Sequence, residues 1–140
     1  MPVNFFTEDI TYTLKEKNKV RQWIKESIVA EGKALGELNY IFCSDNYLLQ
    51  INQQYLNHNT FTDIVTFDNS DSSEIISGDI FISIDRIKDN ATKYKTLERD
   101  ELHRVIIHGT LHLIGFKDKT KAHKAIMTNK EDQYLAVRGF

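Results

Sequence analysis

The stretch LERDELHRVIIHGTLHLIG, residues 97–115, decides the fold. Leu102, Ile106 and Leu113 recur at helical spacing along one side, and Gly115 is a stop signal just past the last apolar residue. A helix this apolar belongs in the interior, with other elements packed around it. His108 and His112 are four residues apart, so they lie about 40° apart on one face. Glu101 and Arg104 share that face.

Working outward, Val3 to Phe6 and Ile10 to Thr13 read as short β-like pieces, and Lys15 to Glu31 as an amphipathic helix carrying Val20, Trp23, Ile24 and Ile28. Gly32 and Gly36 bracket its end. Glu37 to Cys43 alternates and predicts a mostly buried strand. Ser44 or Asp45 is the candidate cap of a helix running through Leu48, Ile51 and Leu56. Asn57 to Thr62 is polar and loop-like, and Asp63 to Asp68 is a short β-rich run. Asn69 to Glu74 predicts a turn and Ile75 to Ile84 a strand, in which Gly78-Asp79 marks a bulge or a close backbone approach. Arg86 to Tyr94 and Thr120 to Val137 read as helices. This mixture predicts one α+β (mixed α/β) domain over residues 1–140, a small mixed sheet packed against several helices, with the 97–114 helix central. The strand order does not follow from the pattern.

The chain of 140 residues is long enough to bury a core, and its 41% hydrophobic and 27% charged residues are those of an ordinary globular domain. No run approaches a transmembrane length, and Met1 to Tyr12 lacks the basic start of a signal peptide. The single cysteine, Cys43, has no internal disulfide partner and sits in an apolar run, so it reads as a core residue in a cytoplasmic protein. The formal net charge of −2 excludes a uniformly basic nucleic-acid binder and leaves only a local patch for such contact.

The chemistry lies in residues 108–118, HGTLHLIGFKD. A His pair at helical spacing is by itself most often coincidence or a core hydrogen bond. Here the pair sits in an apolar run where an unsatisfied imidazole is costly. Gly115 lets the chain turn back so that Asp118 joins the pair. His108, His112 and Asp118 are therefore the expected ligands of one divalent ion, zinc by the chemistry of two imidazoles and a carboxylate, with a position left for water; other first-row metals suit the same donors. The spacing is that of the extended metzincin pattern, but Gly109 stands where those proteases carry their glutamate base. Peptidase activity is disfavoured. A glycine there costs about 1 kcal/mol of helix propensity relative to alanine, and the expected return is room for an approach to the metal.

With three segments in order, Thr62-Asp63-Ile64-Val65-Thr66-Phe67, Gly78-Asp79-Ile80-Phe81-Ile82-Ser83 and His108 to Gly115, the sequence resembles the YbeY family over nearly its whole length. That resemblance implies a metal-dependent, single-strand-specific endoribonuclease of ribosomal RNA maturation, with processing of the 16S 3′ end, ribosome quality control and association with the small ribosomal subunit. Neither a membrane nor DNA is expected as a partner. The family's third ligand is usually a histidine, and here it is Asp118. An arginine that follows the aromatic residue of the preceding helix in many members is here Leu56, after Tyr55, so its role is not carried over; His58 and nearby lysines are the candidates to replace it. Asp63 is a candidate general base, with a turn or cap role as its plain alternative. Lys117, Lys119, Lys121 and Lys124, with Arg86, Lys88, Lys93, Lys95 and Arg99, form a stripe that suits phosphates, although single lysines of this kind are ordinarily solvated. His103 and His123 are expected to be packing or surface residues. The rival readings are a metalloprotease-like hydrolase and a non-catalytic ribosome-assembly factor with a structural metal.

Overall fold

A computed structural model describes residues 2–56 and 62–140. Alternating apolar runs form four strands, β1 (Val3–Thr7), β2 (Ala34–Cys43), β3 (Ile64–Asp68) and β4 (Ile75–Ser83). The helices are α1 (Lys17–Ala30), α2 (Asp45–Leu56), α3 (Ile84–Tyr94), α4 (Glu98–Ile114) and α5 (Lys121–Ala136). The sheet order is β1-β2-β4-β3, with β1, β2 and β4 parallel and β3 antiparallel at the edge beside β4. The α+β class and the central position of the 97–114 helix are as expected from the pattern.

The two central strands put Leu38, Tyr40 and Phe42 of β2 and Ile76, Ile80 and Ile82 of β4 on one face, all buried. Helices α1 and α4 cover that face, and Trp23 Nε1 ties α1 to α5 by donating to the Tyr134 carbonyl at 2.8 Å. On the other face α2 seats Leu48 against Cys43 and Val65. Ser44 is the cap of α2: its Oγ accepts from the Tyr47 amide at 3.1 Å. Asp45 is instead held by Arg86 Nε at 3.0 Å. Burial, then Asp9, Asp45 and Asp85, push the Cys43 thiol up to about 12, which makes it the inert core residue its surroundings implied.

Several local expectations are corrected. Ile10 to Thr13 is not a strand, because Asp9 adopts φ 45° and turns the chain out of β1 while its carboxylate accepts from the Ser44 amide at 3.0 Å. Gly36 lies inside β2 rather than at the end of α1. Ala34 and Leu35 already pair with Ile75 and Ile76, and the register then shifts before Leu38 meets Gly78. A Cβ on Gly36 would stand 2.0 Å from Ser77 Oγ and 2.9 Å from the Ile76 carbonyl, so the irregularity favours glycine there. At Gly78 the close approach is the correct alternative: a Cβ would lie 2.4 Å from the Phe67 carbonyl and 2.9 Å from Leu113 Cδ1, where the end of α4 rests on the sheet. Of the loop predicted for Asn57 to Thr62, residues 57–61 are outside the described residues.

Candidate metal centre

Helix α4 begins after an extended Leu97 and carries Glu98, Asp100 and Glu101 in its first turn, where carboxylates suit the helix dipole. Most of its remaining length is buried, from Leu102 to Leu113, so it is enclosed rather than amphipathic. Gly109 faces the sheet: a Cβ there would be 2.6 Å from Ile64 Cδ1 and 3.0 Å from Ile80 Cγ2. This corrects the expectation that Gly109 opens a path to the metal. It lets the helix backbone settle on β3 and β4, and this close packing offsets the lost helix propensity.

The helix ends on Gly115 at φ 124°, a conformation a side chain would strain. The Gly115 and Phe116 amides both donate to the Leu111 carbonyl, at 3.1 and 3.0 Å. Phe116 then packs against the core beneath Lys130 Nζ. Anchored this way, the chain returns Asp118 to the two imidazoles. Asp118 Oδ2 lies 3.2 Å from His108 Nε2 and 3.2 Å from His112 Nε2. The three candidate donor atoms all fall within 4.8 Å of one another. Donors bound at about 2.0–2.1 Å around a tetrahedral ion stand ~3.3 Å apart, so the spacing fits a cation. The side chains of His108, His112 and Asp118 are 22%, 27% and 37% exposed, which leaves one side open to solvent.

Glu131 of α5 completes the arrangement and was missed in the sequence. Its Oε2 lies 2.6 Å from His108 Nδ1, and its Oε1 accepts from Arg104 Nη1 at 2.8 Å. Arg104 Nη2 also donates to Asp132 at 2.7 Å. A carboxylate can only accept, so Nδ1 of His108 carries the proton. Nε2 of the neutral ring then presents its lone pair to Asp118. Two acceptors at 3.2 Å need positive charge between them, a proton in the bare protein or a metal ion. Consistent with this, burial lowers the His108 pKa, but Glu131, Asp118 and Asp63 outweigh burial and raise it. A signal for Glu131 did exist: it is buried on the same side of α5 as Met127 and Tyr134, four residues before and three after it.

Asp63 immediately precedes β3, and its backbone carbonyl accepts from the Ser83 amide at 3.0 Å. Burial raises its carboxyl, His108 lowers it, and Glu131 and Asp118 raise it further. Glu101 is raised by burial and by Asp63, against Arg104. Asp63, Glu101, Asp118 and Glu131 thus act on a common region, with His108 and Arg104 as the counter-charges. His103 is outside the centre as expected, buried between Trp23 and Phe140 with Arg138 Nη1 donating to its Nδ1 at 2.6 Å. His123 is half-buried in the first turn of α5. Leu56 is the exposed last residue of α2, and His58 is outside the described residues.

Three donors meeting at a helix end, open on one side and backed by a buried carboxylate, define a candidate hydrolytic metal centre on a small α+β domain. The family model described as Endoribonuclease YbeY matches residues 3–139. The chain is 52% identical to the Endoribonuclease YbeY of Cytophaga hutchinsonii over 136 residues, which cover 97% of this chain and 95% of that one. It is 49% identical to that of Flavobacterium psychrophilum, covering 94% of each. A Thermotoga maritima protein solved in solution superposes with a TM-score of 0.64 at 25% identity, over 95% of this chain and 86% of that one. The chain belongs to the Endoribonuclease YbeY family.

Proposed function

We propose that His108 Nε2, His112 Nε2 and Asp118 hold one zinc ion and that the loaded protein hydrolyses phosphodiester bonds of single-stranded RNA. Family membership makes the chain a metal-dependent endoribonuclease of ribosomal RNA processing. The observation that carries the site assignment is the placement of Asp118 Oδ2 at 3.2 Å from both imidazoles. When bound, such an ion lowers the pKa of a coordinated water and polarises a phosphoryl oxygen.

The chain's own residues supply the rest. Glu131 keeps the proton on His108 Nδ1, so Nε2 stays available as a donor to the ion. Arg104 holds Glu131 in place. Asp63, its carboxyl raised by burial, is the proposed proton acceptor. Gly109 leaves the protease reading without the base that its helix position would need, and it is packed against Ile64 and Ile80. A structural zinc is normally closed by four protein ligands; among the described residues three donors converge, on a partly open site. We place the activity on residues 1–140 as one domain acting in the cytoplasm, at the 3′ end of 16S RNA in contact with the small ribosomal subunit. No helix among the described residues is long and apolar enough to cross a membrane.

The test is cleavage of a single-stranded RNA by purified protein beside its His112→Ala variant, with zinc measured on both. Loss of cleavage together with zinc is the expected result. Equal residual cleavage in the two preparations rejects the nuclease assignment.

A further inference from the structure

The nine basic residues in and around α4 differ in their partners and in their distance along the chain from Asp118. Before the helix, Arg86 is paired with Asp45 at 3.0 Å and also with Asp89. Arg99, in the first turn of α4, lies 3.7 Å from Asp100; Lys88, Lys93 and Lys95 are exposed without an ion-pair partner among the described residues, Lys93 sitting over the Tyr94 ring at 5.3 Å. Past the helix, Lys117, Lys119, Lys121 and Lys124 are all exposed, and none has an ion-pair partner among the described residues. Other cations of this half of the chain are engaged: Arg104 with Glu131 and Asp132, Lys130 with Glu31, and Arg138 with Asp100.

Within residues 117–124 the one carboxylate is Asp118, and its Oδ2 is turned to the two imidazoles rather than to either neighbouring lysine. The first turn of α5 carries no acidic residue, and the next carboxylate along the chain, Glu131, is buried. Four uncompensated cations therefore follow the chain past the metal centre in a protein whose formal net charge is −2. Lys117 and Lys119 are covalent neighbours of Asp118, with Cα atoms about 3.8 Å away on either side.

We infer that Lys117, Lys119, Lys121 and Lys124 form a strip that binds the phosphates of single-stranded RNA next to the bond to be cut. The inference rests on the nuclease reading and extends it from the reacting phosphate to its neighbours. Lysine is a point charge on a flexible stem, so the strip holds backbone and does not read bases.

The experiment measures binding of a short fluorescent single-stranded RNA between about 50 and 200 mM salt. It compares the zinc-loaded protein with the variant Lys117→Gln/Lys119→Gln/Lys121→Gln/Lys124→Gln. A control variant is Lys88→Gln/Lys93→Gln/Lys95→Gln on and after α3. Each phosphate contact to a single strand contributes ~0.7 to the slope of log affinity against log salt. The strip variant is expected to lose about 2 to 3 of that slope. That is roughly 16- to 64-fold less salt sensitivity over the range, with unchanged zinc content and an unchanged slope in the control. A strip variant whose slope stays within about 0.5 of the parent, or a control that falls equally, overturns the inference while leaving the nuclease reading intact. A zinc-loaded parent that binds no RNA overturns both.

Discussion

Replacing Glu131 with alanine removes the acceptor of the 2.6 Å contact to His108 Nδ1 and one of the two carboxylates on Arg104. Arg104 is not stranded, because Asp132 still accepts from Nη2 at 2.7 Å and the side chain is 36% exposed. The loss therefore falls mainly on His108, whose ring no longer has its tautomer and rotation fixed. Removing such a partner typically weakens metal binding 10- to 100-fold, about 1.4 to 2.8 kcal/mol. Glu131→Gln is the discriminating companion. Its amide oxygen can still accept from Nδ1, but its NH2 then meets the Arg104 donor head on, so an intermediate loss of up to about tenfold is expected. The assay is competition for zinc against a chromophoric chelator at neutral pH, with urea unfolding of the zinc-free proteins alongside. A merely structural Glu131 would lower the unfolding free energy without moving zinc affinity. An alanine variant that binds zinc within twofold of the parent refutes the account of His108 given above.

Gly109→Ala tests the packing role of that glycine: overpacking against Ile80 at 3.0 Å costs about 1–3 kcal/mol and the propensity gain returns about 1. Denaturant unfolding should show a net loss of about 1 kcal/mol with zinc affinity unchanged; weakened zinc binding at unchanged stability would restore the open-path reading. His103 gives a pH signature. Burial, then Arg138 and Arg99, lower its pKa from the ordinary 6.5 to about 4, so the unfolded chain binds the extra proton between those values. Its contribution is present above about pH 6.5 and is lost as pH falls toward 4, amounting to about 3 kcal/mol. His103→Leu should therefore flatten the stability profile in that window relative to the parent, and identical profiles would contradict the assignment.

The part of the candidate site that is local in the chain was legible as geometry: the spacing of His108 and His112, the stop at Gly115 and the return to Asp118 are all set by helix geometry and one glycine. So was the position of α4, because a helix apolar on nearly every side has no stable place at the surface. What escaped depends on contacts far apart in sequence. Glu131 meets His108 across 23 residues, and nothing local distinguishes it from a solvated glutamate except its buried helical neighbours. The meaning of Gly109 depends on Ile64 and Ile80 of the sheet. The early start of β2 is set by its partners Ile75 and Ile76. Asp9, which turns the chain away from a second strand, is held by an amide 35 residues on. The strand order has the same origin, since alternation shows which face is buried and not which strand lies alongside.

The measurement closest to the central claim is the metal content of the parent and of the single variants His108→Ala, His112→Ala and Asp118→Ala, after loading with zinc and removal of excess. The account predicts about one zinc per parent chain, and in each variant a loss of most of it, the carboxylate variant included. Zinc retained at the parental level in Asp118→Ala, or in either histidine variant, would contradict the three-ligand centre.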